Sequence, residues 1–190
     1  MKLRPARPDD AEAIAAANNL AWKSAYRGAL PDEALDAIGE HDRADQWRQM
    51  ATDHPERFVV AVDDDGAVRG FVTVDFAPSG EPDHVGEILG LYVHPQQWRS
   101  GAGRLLLDCG CRLLVDEGKT EGVLSTLAEV EATQAFYRSQ GWEADGTSHW
   151  HRFTSRAVES AELIRMRRPL TRRPELEANR AVWNTNAAWY

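Results

Sequence analysis

Between residues 86 and 110 a mostly apolar run, GEILGLYVH, passes through PQQWRSGAG directly into RLLLDCG. Pro95 ends the run, and Gly101 and Gly103 stand just before an apolar pattern of helical period. The stretch reads as a strand, a tight glycine turn and a helix start. Further strands and helices follow, so it forms part of a βαβ unit and asks for a sheet with a parallel pair. It is also an anion site in outline. The first N–H groups of a helix point outward, and its dipole adds about half a positive charge there. Glycine lets the backbone approach a phosphate without a Cβ collision. The spacing matches neither G-x-G-x-x-G nor G-x-x-x-x-G-K-[ST], which argues against a dinucleotide fold and a P-loop. Taken alone, Gly-x-Gly at a helix start is as often a plain tight turn.

The flanking sequence supplies the rest of the sheet. Lys2 to Ala6 suits an opening strand, and Pro8-Asp9-Asp10 starts a helix that runs to about Tyr26 and stops at Gly28. Two short helices follow, from Pro31 to Gly39 and from Asp42 to Ala51. Residues 57–62 and 68–76 form a hairpin about Asp63 to Gly66, and APSGEPDHVG is a loop. After the glycine turn come a helix from Leu105 to Glu117, a strand from Gly122 to Leu127 and a helix from Ala132 to Gln140. Two closing strands, 142–145 and 163–167, surround a loop with His149, Trp150 and His151. The expected architecture is a single α/β domain over residues 2–170: a mixed central sheet of six or seven strands flanked by helices. Residues 171–190 read as a linker and a short helical tail. Trp183 and Trp189 in that tail call for burial against the domain or a second subunit, which would make a homodimer.

Bulk properties exclude several function classes. Thirty acids against 22 bases give a formal charge of −8, the opposite of a nucleic-acid-binding stripe. No apolar run is long enough to span a membrane, and the first residues lack a signal-peptide core, so a cytoplasmic protein with no membrane partner is expected. Cys109 and Cys111 lie two apart in a helix and point to different faces; no second Cys or His pair completes a metal site.

The pieces LYVHP, WRSGAGRLLL and AFYRSQGW, in this order and spacing, resemble the GNAT superfamily of N-acetyltransferases. The opening RPARPDDAEAI…AWKSAYRGALPDE and the closing ELIRMRRPL are similar to a common bacterial branch of it. The resemblance implies acetyl-CoA as co-substrate, no metal, and direct transfer to a primary amine of a small molecule, an amino acid derivative or a peptide. It implies that main-chain groups of Leu91 and Val93 pair with the pantetheine arm, with Tyr92 between them also in the cofactor site. Trp98, Arg99, Ser100, Gly101, Ala102, Gly103 and Arg104 would grip the pyrophosphate. Tyr137 aligns with the tyrosine that contacts the donor and protonates the leaving thiolate, and an N–H near Val93 would hold the oxyanion.

Glu87, six residues before Val93, matches the glutamate base of the histone-modifying members. Plain strand alternation puts residues 87, 89, 91 and 93 on one face, turned to the thioester. His84, His149 and His151 are rival bases. For the acceptor, Trp22, Tyr26, Glu87 and Trp150 are expected, with Trp47 and Phe153 nearby; Trp22 and Tyr26 meet at i, i+4, as a core pair also would. Two positions depart from the family: Trp98 replaces its Gln or Arg, and Val130 its Asn. The second leaves open a non-catalytic acyl-CoA sensor beside the enzyme.

Overall fold

A computed structural model describes residues 1–152 and 160–171. Seven strands make one sheet in the order β1-β2-β3-β4-β5-β7-β6. They are β1 (Lys2–Pro5), β2 (Phe58–Val62), β3 (Val68–Asp75), β4 (Val85–Val93), β5 (Glu121–Leu127), β6 (Glu143–His151) and β7 (Ala161–Pro169). The β4–β5 pair is parallel and every other pair antiparallel. The parallel pair is the one joined through the glycine turn and its helix, as the sequence requires. The mixed sheet flanked by helices is therefore as expected, at seven strands. Phe153 and the tail with Trp183 and Trp189 fall outside the described residues.

Helices cover both faces. On one lie α4 (Ala102–Asp116) and α5 (Glu131–Ser139), burying Leu106, Leu107 and Leu114 with Val72, Val74, Ile88, Leu124, Trp142 and Met166. On the other lie α1 (Ala11–Ala25), α2 (Asp32–Asp36) and α3 (Ala44–Asp53). Ile14, Trp47, Phe58 and Phe71 form one cluster there; Trp22, Leu30, Leu35, Leu127 and Val130 form another. All five residues of β2, FVVAV, are buried, the pattern of a strand covered on both sides.

Helix α4 starts three residues earlier than expected, at Ala102, so Gly103 and Arg104 belong to its first turn. Strand β6 runs on to His151, so His149, Trp150 and His151 lie in an exposed edge strand rather than a loop. The short apolar content of DGTSHWH hid that extension: it is exposed on both faces, and a period-2 burial signal has nothing to act on.

Close approach of α4 to the sheet depends on Gly110. A Cβ there would stand 2.8 Å from Ile88 Cδ1 and 2.9 Å from Val72 Cγ2. Gly110→Ala is expected to overpack the core and cost about 1–3 kcal/mol, measured as a lower Tm and denaturation midpoint with an unchanged m-value.

Candidate functional site

Strand β4 keeps two kinds of neighbour along its length. Its first part pairs with β5 only from Val85↔Glu121 to Ile88↔Leu124. Beyond Ile88 no pairing with β5 continues, whereas β5 itself runs to Leu127 and stays bonded to β7 as far as Leu127↔Leu163. The sheet is thus split between Leu89–Val93 and Ser125–Leu127. On its other side β4 remains paired with β3 up to Gly70↔Val93.

The ladder fixes which groups face the split. His94 N donates to Arg69 O at 2.8 Å. Partners in an antiparallel ladder alternate, so Tyr92 also turns its main-chain groups to β3. Leu91 and Val93 therefore turn their N–H and C=O groups into the opening. Register alone thus gives Leu91 and Val93 an edge that is unpaired with β5.

At the mouth of the split stands the start of α4. Arg99 has φ 62° and Gly101, the N-cap, φ 90°, so two left-handed residues fold the turn tightly back onto the helix. The Ser100 hydroxyl accepts weakly from Ala102 N at 3.4 Å. The other first-turn N–H groups have no intrahelical acceptor by construction of an α-helix. Arg104 is two-thirds exposed beside the turn, 3.7 Å from Asp108. Gly101 has open space around its missing Cβ, but the equivalent position on Gly103 is 3.4 Å from the Phe136 ring. Gly103 thus serves contact between α4 and α5, while Gly101 serves the turn.

A register shift lies within the split. Thr73 pairs with Gly90 and Val74 with Ile88, leaving Leu89 as an extra, exposed residue. The shift corrects the alternation expected from the sequence. Ile88, Leu91 and Val93 pack on the α4 side, whereas Tyr92 packs with the α1 side. Glu87, next to Ile88, falls on the α1 side with Tyr92, not on the face of Leu91 and Val93. Gly90, an isolated glycine inside an apolar strand, was the available signal for a bulge.

Glu87 is half-buried and stands across from Asp75 on β3 and Val123 on β5. Burial first, then the nearby charges of Asp75 and Glu81, push its carboxyl above the usual carboxylate range; Arg165 pulls the other way. A network that the sequence reading missed adjoins it. Arg165 pairs with Glu81 and with Asp145 at 2.5 Å, and Arg167 bonds Glu81, Asp145 and Glu121. These residues are far apart in the chain, and no local spacing links them.

Tyr137 comes from the opposite face. It is buried on α5, its ring 5.2 Å from Phe136 and 6.5 Å from Trp142. Burial raises its phenol well above the ordinary value, with Tyr92 adding a smaller push. Val130 is the N-cap of α5 and is buried with Trp22 and Leu127, giving that position to packing.

The expected acceptor residues divide. Trp22 is buried and meets Tyr26 edge-on at 4.7 Å, both on the side of the sheet where Glu87 lies. Trp150 is 71% exposed on the edge strand, paired with Glu162 at the open end. Trp47 packs with tilted rings against Phe58 and Phe71 in the core. His84 is nine residues from Val93 along β4, about 30 Å at 3.3 Å per residue, and sits where β4 and β5 are still joined. Cys109 is buried, its thiol pushed up to about 12, which leaves no reactive thiolate. Among the described residues no group of three or more His, Cys, Asp or Glu is placed to hold a metal, and no helix is long and apolar enough to cross a membrane.

Known proteins resemble this chain in sequence and in fold. Residues 15–142 match the model of the acetyltransferase (GNAT) family. An uncharacterized N-acetyltransferase, YuaI, of Bacillus subtilis is 28% identical over 116 residues, 61% of this chain and 65% of its own. A mycothiol acetyltransferase of Kocuria rhizophila is 36% identical over 100 residues, 51% of this chain and 31% of its own. The chain thus spans under two thirds of each of these relatives. The PaiA N-acetyltransferase of Thermoplasma acidophilum, solved in complex with coenzyme A, superposes with a TM-score of 0.66. That likeness covers 88% of this chain and 98% of the other at 17% identity, and it concerns the fold. The family model covers residues 15–142, which include the parallel pair that parts at a bulge and the glycine-turned helix at its mouth: the chain belongs to the acetyltransferase (GNAT) family.

Proposed function

We propose that this protein is an N-acetyltransferase that moves an acetyl group from acetyl-CoA directly to a primary amine. The observation that carries the reading is the split after Ile88, where main-chain groups of Leu91 and Val93 line an unpaired edge leading to the start of α4. Such an edge suits an extended amide-bearing arm, and a helix start suits a pyrophosphate. The residues fit that donor without a metal.

Transfer requires an unprotonated amine, a polarised thioester carbonyl and a proton for the departing sulfur. Val93 N–H, turned into the split, can donate to the carbonyl oxygen as charge develops there. Glu87 takes the amine proton, directly or through one water, from the α1 side. Tyr137 delivers a proton from the α5 side. Donor and acceptor thus enter from opposite faces, and the split is the window between them.

The acceptor is a small-molecule amine, an amino acid derivative or a peptide N-terminus; half-buried Glu87, with Asp75 and Glu81 near it, favours a cation. The protein acts without nucleic acid, membrane or metal. The mycothiol acetyltransferases, and an aminoglycoside N(6')-acetyltransferase of Stenotrophomonas maltophilia at 31% identity, are named for small-molecule acceptors, which supports this class. Thiol release from acetyl-CoA across a panel of amines, amino acids and peptides tests it. At least one acceptor is expected to raise release well above background; acetyl-CoA binding with no such acceptor would favour the sensor instead.

A further inference from the structure

Trp98 occupies the first position of the glycine turn and is 44% exposed, yet its indole is not left to solvent. Nε1 donates to the carbonyl of Val93 at 2.8 Å. That carbonyl is one of the groups the ladder turns into the split, because His94 N is spent on Arg69 O. A chain laid along an open strand edge pairs with both the N–H and the C=O of the same residue. The indole therefore holds the same acceptor that an added strand needs.

We propose that Trp98 is an internal competitor at the donor site and sets how tightly acetyl-CoA binds. In the free protein the indole closes the Val93 carbonyl; for an amide N–H of the donor's arm to pair there, the indole leaves it. The inference rests on the acetyl-CoA reading above. The turn around Trp98 is built for such a displacement. Its side chain lies at the surface, outside all three apolar clusters, so moving it uncovers no core. Its backbone is held by Trp98 N donating to Pro95 O at 3.1 Å, which does not involve the ring. Leu91, Val93 N–H and the first turn of α4 are left free in either state, so the site is weakened by the indole rather than shut.

Trp98→Phe keeps an aromatic ring and removes the N–H together with the second ring of the indole. The dissociation constant for acetyl-CoA, measured by calorimetry, is expected to fall about three- to tenfold, the worth of one released neutral hydrogen bond. In the wild type, the indole proton that disappears in Trp98→Phe should exchange with solvent faster when coenzyme A is bound than when it is absent. An unchanged or weaker affinity in the variant overturns the proposal. So does an indole proton equally protected with and without coenzyme A. If neither wild type nor variant binds acetyl-CoA, while both melt as folded proteins, it is the donor reading itself that fails.

Discussion

Replacing Tyr137 by phenylalanine is expected to lower kcat about 10²-fold or more, the usual worth of a positioned general acid, with little change in acetyl-CoA affinity. The ring contacts with Phe136 and Trp142 survive the change, because only the hydroxyl is removed. Stability should therefore fall by no more than about 1 kcal/mol, the net value of one hydrogen-bonding group, and Tm measures this directly. A residue that merely packs α5 onto the sheet would leave kcat where it is. The raised phenol adds a second mark. A group whose value lies above the ordinary ~10 of tyrosine stays protonated over the whole working range. Tyr137 should accordingly produce no alkaline limb below about pH 10 in the wild-type kcat profile, and rate measurements at pH 7 to 9.5 check it. The burial that keeps the proton on also makes it harder to give up. Donation therefore has to be coupled to departure of the sulfur rather than precede it.

Glu87→Gln is expected to reduce kcat/KM by about 10²-fold at neutral pH and to change the shape of the pH profile. In the wild type the base works when ionised, so the rate rises with pH through a value above the usual carboxylate range. The variant lacks that limb; only the titration of the free amine remains. The same shift acts on stability with a definite sign. The folded carboxyl holds its proton to higher pH than the unfolded one, so the folded state binds more protons between the two values. Stability is then fully present below the unfolded value, ~4.3 for glutamate, and declines as pH rises through the folded one. Glu87→Gln removes the buried charge and should raise Tm at pH 7 relative to wild type, with the gap closing towards pH 4. A variant that is slower and more stable at once is the signature of a carboxylate held for chemistry. One that loses activity because it loses stability is not.

Much of the fold was legible because its strongest signals are local. The strand 86–94, the turn at Gly101 and the apolar stripe of α4 specify a βαβ unit over thirty residues, and Phe136-Tyr137 before Gly141 places α5. What the sequence withheld is what depends on strands meeting. An extra residue at Leu89 leaves no mark in a period-2 pattern except the glycine after it, so Glu87 was assigned to the wrong face. The Arg165 and Arg167 network joins residues up to 86 positions apart and has no local trace. The extension of β6 beyond Asp145 escaped because nothing along it is buried. The indole bond of Trp98 was hidden for a different reason: a side chain that replaces a familiar residue reads as a loss until its partner is seen.

The extra residue at Leu89 has a consequence for how the chain can vary. A uniform strand offers each reactant every second position, so any change made for one disturbs the spacing seen by the other. With the phase reset in the middle, the proposed reaction would have the stretch before Leu89 address one partner through its side chains and the stretch after it address the other through its backbone. On that proposal, residues near Glu87 could be exchanged to suit a new amine while the thioester would meet the same main chain. One inserted residue thus separates the half of the strand that is free to diversify from the half that has to stay the same.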